Sequence, residues 1–228
     1  MKDIPDDYSL ENFKHDYQLR DSLVERQIPS SSDREKLHSW VIDLFPDLKC
    51  SVQTRILGCY YLDEFLLKKP EINPQVYQLA TVICLGIALK FEESIILTPK
   101  NISELFNNRY SEENVTTVEL YILKALNWRL AQITPSDVIR SLIFATCEKG
   151  DLTKIIEKAE LFALVGILSN KTAKYREGFL AVACTSLALK TLGFVSFLEE
   201  WWLSVSKTLE ISRQDVEMIE KKIINLVS

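Results

Sequence analysis

Apolar residues recur along this chain at helical rather than strand spacing, and the stops between the runs are legible. After Ser51, positions Val52, Ile56, Cys59, Tyr60, Leu62, Phe65 and Leu66 fall at helical spacing, and Lys68, Lys69 and Pro70 close the run. That pattern predicts a serine-capped helix. Asn73 and Pro74 open a second run, Gln75 to Phe91, that is apolar on nearly every side. A helix without a polar face belongs at the centre of a bundle. Thr98 with Pro99 predicts a shorter helix through Leu105, and Ser111, followed by Glu112 and Glu113, predicts another ending near Asn127. Ahead of them Ser32 caps Asp33 to Phe45, with Pro46 as the stop, so five helices fill Asp33 to Asn127.

The second half repeats the scheme. Thr134, Pro135 and Asp137 start a helix to about Cys147, Gly150 and Asp151 mark a turn, and a further helix runs through Ser169. Tyr175 to Leu192 is again apolar throughout and closed by Gly193, followed by Phe197 to Thr208 and by Ser212 to Val227, whose Ser212 and Asp215 form a box-like cap. Shifted by 100 positions, Val82, Cys84, Ala88, Leu89 and Lys90 fall on Val182, Cys184, Ala188, Leu189 and Lys190. This is the mark of a duplication. Before Asp33, Leu10, Phe13, Tyr17, Leu23 and Val24 predict a docked amphipathic helix and a linker with Pro29. The expected fold is all-α: a preceding segment over 1–31 and two tandem five-helix bundles over 32–131 and 132–228.

Composition agrees with this and narrows the function. Of 228 residues, 47% are hydrophobic and 26% charged, with only 6 Gly and 7 Pro, which suits a packed helical protein. The net charge of -5 and a pI near 5.3 argue against a protein whose main task is to grip a phosphate backbone. Cys50, Cys59, Cys84, Cys147 and Cys184 are odd in number and mostly set in apolar runs, which predicts buried thiols in a reducing compartment. Met1 to Leu10 lacks the apolar core of a secretory signal, and no uninterrupted apolar stretch approaches the roughly 20 residues of a membrane span. The expectation is a soluble intracellular protein.

Catalytic chemistry finds no foothold in this sequence. The glycines are too sparse for a Walker A loop or a GxGxxG turn, and two histidines without CxxC or HExxH leave no ordinary zinc set. Glu92 and Glu93 read as solvated acids after a helix end. Trp201 and Trp202 read as core rather than as a ligand cage. No enzyme activity, cofactor or metal is expected.

The helix scheme and a set of short segments together are similar to the cyclin family. The segments are DREKLHSW with Arg34 and Trp40, YYLDEFL with Asp63, IALKFEE with Lys90, VELYILKALNW with Glu119, and the joint WRLAQITPSD. LTPKNISELF and LNWRLAQITPSDVI look most like D-type or other G1 cyclins. The resemblance runs from Asp33 to Ile143 and rests on helix pattern beyond it. It implies two cyclin boxes and a non-catalytic subunit that activates a cyclin-dependent protein kinase in cell-cycle control, in the nucleus or cytoplasm. In such pairs the cyclin packs on the kinase αC helix and so favours the active arrangement.

Carried over by position, the resemblance makes Lys90 and Glu119 a charged pair facing the kinase, with Ile87, Phe91, Leu123, Trp128 and Leu130 as apolar contacts around it. The residues themselves agree with this: Phe91 has little local reason to be exposed, and a mid-helix carboxylate at Glu119 is costly to bury alone. Arg34 and Asp63 match an internal ion pair of the box. Leu37 and Trp40 match part of a surface groove that takes RxL-type motifs of kinase substrates and inhibitors. Asp33 and Lys36 stand where that groove usually presents apolar walls, so the groove is expected to be degenerate. Two other readings stay open at this point: a TFIIB-like DNA-binding protein with paired cyclin folds, and a helical scaffold without a kinase partner.

Overall fold

The computed structural model describes residues 9–12, 25–29, 33–44, 50–146 and 152–227. The described residues are helical apart from loops and one isolated bridge between Glu25 and Tyr175. They divide into two compact units, 27–132 and 133–228, the second including residues 9–12 and 25–26.

The first unit contains α1 (Arg34–Leu44), α2 (Val52–Lys68), α3 (Tyr77–Glu92), α4 (Pro99–Leu105) and α5 (Glu112–Ala125). Its centre is α3, buried continuously from Leu79 to Leu89. With the turn of 3-10 helix at Pro74–Val76 that precedes it, α3 has the length and hydropathy of a membrane span; the burial marks it instead as the helix around which the unit packs. Against it lies α2, and the two backbones come close at Gly58, where an added Cβ would stand 3.2 Å from the Leu85 Cα.

Helix starts follow the capping residues. Ser51 Oγ accepts from the Thr54 N–H at 3.1 Å, and Thr98 with Asn101 and Ser111 with Asn114 form capping boxes. Two boundaries differ from expectation. Asn73 caps the 3-10 turn, so the α-helical part of α3 begins only at Tyr77. The last helix of this unit, α5, ends at Ala125 because Asn127 and Trp128 adopt left-handed φ values of 54° and 59°.

In the second unit are α6 (Pro135–Thr146), α7 (Leu152–Leu168), α8 (Glu177–Thr191), α9 (Val195–Leu209) and α10 (Arg213–Val227). Here α8 is the buried centre, Gly178 to Leu189, and Gly193 (φ 81°) turns the chain after it. The Asp137 carboxylate accepts from the Thr134 N–H at 2.8 Å and its hydroxyl at 2.7 Å, fixing the start of α6. Trp201 and Trp202 are buried, and the Trp201 Nε1–H donates to Thr146 Oγ1 at 2.9 Å. Tyr175 is not helical: it bridges Glu25, while the Arg26 N–H donates to the Lys174 carbonyl at 2.7 Å. Leu10–Asn12 is a helical turn with Leu10 buried. Phe13, Tyr17, Leu23, Val24, Ser32, Phe45, Pro46, Cys147, Gly150 and Asp151, read above as helix or boundary positions, lie outside the described residues.

The two units repeat not only helices but ion pairs. In the first, Arg34 on the first helix binds Asp63 on the second; in the second, Arg140 binds Glu160 at 2.8 Å between the corresponding helices, with Ser136 donating to the same carboxylate. Each central helix ends in a lysine paired with a glutamate on the fifth helix: Lys90 with Glu119 at 2.6 Å and Lys190 with Glu220 at 2.5 Å. Shared pairing of this kind supports duplication more strongly than shared small apolar residues, which any two buried helices have.

Candidate functional site

The end of α3 and one flank of α5 build the candidate site. Helical periodicity carries the chain out of the core after Leu89, so Lys90 and Phe91 emerge where α3 reaches solvent. On α5, Val115 and Ile122 define the buried side, and the 100° step per residue places Glu119 and Leu123 at its edge with Leu120 further out. The Lys90 Nζ donates to Glu119 Oε1 at 2.6 Å, with side chains 36% and 18% exposed. The lysine is reachable and the carboxylate half-shielded, and each holds the other in place.

Apolar residues with exposed or half-buried side chains occur at the end of α3, on α5 and in the turn after it. Phe91 and Trp128 are 46% and 60% exposed, while Leu123 and Leu130 are half-buried. Ile87 is placed differently from the expectation of a contact residue. It is 3% exposed, one turn back along α3, and belongs to the core under the surface. Leu120, 42% exposed, was not anticipated. The available signal was an apolar residue at a position where α5's own period calls for a polar one. Trp128 is a non-glycine residue in the left-handed region, which costs about 1–2 kcal/mol, and its indole recovers little of that by packing.

Arg34 and Asp63 lie elsewhere in the unit and are fully buried. Arg34 donates from Nε and Nη2 to the two Asp63 oxygens, each at 2.7 Å, and His38 Nε2 lies 3.0 Å from Oδ1. This bidentate pair joins α1 to α2. Burial alone would raise the Asp63 pKa, but hydrogen bonds from His38 and Arg34, and their charges, outweigh it and hold the group at about 2.

Around α1 the other expected residues gather loosely. Asp33 and Lys36 are exposed and pair at 3.3 Å, Leu37 is buried, and Trp40 is half-buried with its ring centroid 6.3 Å from that of Phe106. A leucine docking here would meet charged side chains in place of apolar walls, each lost contact costing about 1–3 kcal/mol. RxL peptides are therefore expected to bind poorly. Calorimetry giving micromolar affinity that disappears in Trp40→Ala would contradict this.

Glu93 departs from the expectation of a merely solvated acid. Its Oε1 accepts from the Ser51 N–H at 2.9 Å and from Thr54 Oγ1 at 2.8 Å, capping α2 from the end of α3. The Ser51 N–H in particular draws its pKa down. A carboxylate is favoured there because a helix start presents unpaired N–H groups and the positive end of the dipole.

Comparison with known proteins identifies the family of the chain. The N-terminal domain of the cyclins matches residues 8–131. G1/S-specific cyclin-D1 of Xenopus laevis is 26% identical over 200 residues, covering 85% of this chain and 68% of that protein. G1/S-specific cyclin-D1 of Homo sapiens is 28% identical over 166 residues, covering 70% of this chain, and the match spans only 56% of the human protein. A viral cyclin from herpesvirus saimiri, solved by X-ray crystallography, has the same fold, with a TM-score of 0.77 over 95% of this chain and 97% of that one at 17% identity. The chain belongs to the cyclin family, with D-type G1/S cyclins among its relatives.

Proposed function

We propose that this chain is a non-catalytic subunit that binds and activates a cyclin-dependent protein kinase, and that it works in cell-cycle control in the nucleus or cytoplasm. The observation that carries the reading is the Lys90 and Glu119 pair, reachable at the end of the central helix, with exposed Phe91 next to Lys90 in the chain and exposed Trp128 in the turn that follows α5. A partner helix could bury the aromatic surface while the ammonium and carboxylate meet main-chain groups that such a helix leaves unpaired at its end. The subunit would supply binding energy to the active kinase arrangement and no chemistry of its own.

The acidic character of the chain, net charge -5, favours this over the DNA-binding reading. The test is capture of purified cyclin-dependent kinases from a panel by the full chain, with phosphorylation of a histone or retinoblastoma fragment as readout. At least one kinase is expected to bind and gain activity. A panel without capture and without activation would refute the proposal.

A further inference from the structure

Tyr61 lies in the middle of α2 with no exposed surface, and its hydroxyl is hydrogen-bonded to a distant main-chain group. It donates to the main-chain carbonyl of Leu130, 69 positions further on, at 2.7 Å. That carbonyl also accepts from the Gln132 N–H at 2.9 Å. Between α5 and Leu130 lies the left-handed turn at Asn127 and Trp128, closed by the Trp128 N–H on Leu123 O at 3.0 Å and the Arg129 N–H on Leu126 O at 3.1 Å. A turn of two such non-glycine residues persists only where its surroundings over-determine it. The hydrogen bonds to α5 hold the near end and Tyr61 holds the far end. Burial, and after it the charge of Glu92, push the Tyr61 phenol pKa upward, which keeps the hydroxyl protonated and donating.

We infer that Tyr61 is a positioning residue of the docking face: from inside the core it fixes the Leu130 carbonyl, and with it the left-handed turn that presents the Trp128 indole to a partner. The inference rests on the function proposed above and adds a residue that touches no partner itself. Pre-ordering the turn removes an ordering cost that binding would otherwise meet.

The test uses the full chain and the kinase it captures from the panel. Tyr61→Phe keeps the ring and deletes only the donor. It is expected to weaken kinase affinity about three- to tenfold, in the range of one lost hydrogen bond, with helix content unchanged. Amide exchange should quicken over 126–132. The affinity loss should vanish in a Trp128→Ala background, which a general loss of stability would not produce. Asn127→Val, exposed and hostile to a left-handed backbone, should weaken binding without disturbing the core. Wild-type affinity in Tyr61→Phe or in Asn127→Val, or a Tyr61→Phe loss fully additive with Trp128→Ala, overturns the inference. Failure of the docking face itself would look different: Trp128→Ala, and the joint alanine variant of Lys90 and Glu119, would then both leave binding unchanged.

Discussion

Replacing Lys90 and Glu119 together by alanine is expected to abolish activation of the partner kinase while leaving helix content and melting close to wild type. The two halves of this expectation have different origins. The pair is near the surface, with side chains 36% and 18% exposed, and pairs in such positions contribute only about 0–1 kcal/mol to stability. Removing both members also avoids leaving the more shielded carboxylate alone, which is why the double variant is preferable to Glu119 with a truncated lysine. Docking is another matter. In the free chain the lysine and glutamate orient each other at 2.6 Å, so a partner would meet two charged groups already placed. Truncating a charged group that is hydrogen-bonded and desolvated in an interface typically costs about 2–5 kcal/mol of affinity. Circular dichroism, thermal melting and a phosphorylation assay with the captured kinase check the prediction. Full activation by the double variant would show that the docking face is wrongly placed.

Much of the architecture was legible in the sequence because the relevant information is local. Apolar residues on every side of α3 announce a central helix, and Ser51, Thr98 and Ser111 announce helix starts, since the chemistry of a cap lies within three residues of it. The 100-position shift located Lys190 opposite Lys90. What it could not supply was the partner: Glu119 follows its lysine by 29 positions and Glu220 by 30, so a fixed shift misses the second pair.

Contacts between distant segments were invisible for the same reason. Nothing near Glu93 indicates that it will cap a helix 42 positions earlier, and nothing near Tyr61 points to Leu130. The left-handed turn carried no glycine to announce it, and a tryptophan is among the last residues one would assign to such a backbone. Ile87 shows the converse difficulty: a residue adjacent in sequence to the site can face inward, and periodicity in a helix apolar all round does not say which way.

Asp63→Ala is expected to cost about 3–5 kcal/mol, a large fraction of the roughly 5–15 kcal/mol that stabilises an ordinary domain. The carboxylate accepts both Arg34 hydrogen bonds, with His38 against one of its oxygens, and all three residues have no exposed surface. Its removal takes the neutralising carboxylate away from a buried guanidinium that cannot lose its proton, and takes from His38 its hydrogen-bond partner. A replacement that removes both members of the ion pair, Arg34→Met with Asp63→Leu, should recover part of the loss, the remainder being the hydrogen bond that His38 gives up. Acid titration gives a second measure with a definite sign. Because the folded-state pKa of Asp63 is lowered to about 2, its contribution is fully present above the ordinary carboxylate value, declines as pH falls below that value and is gone once pH has fallen through about 2. Unfolding of the wild-type chain between pH 4 and 5 would thus have to come from other carboxylates. Denaturant titrations across pH decide the matter: the stability difference between wild type and Asp63→Ala should shrink as pH falls from about 4 toward 2. A variant that melts like wild type at neutral pH would show that the fold does not depend on this ion pair.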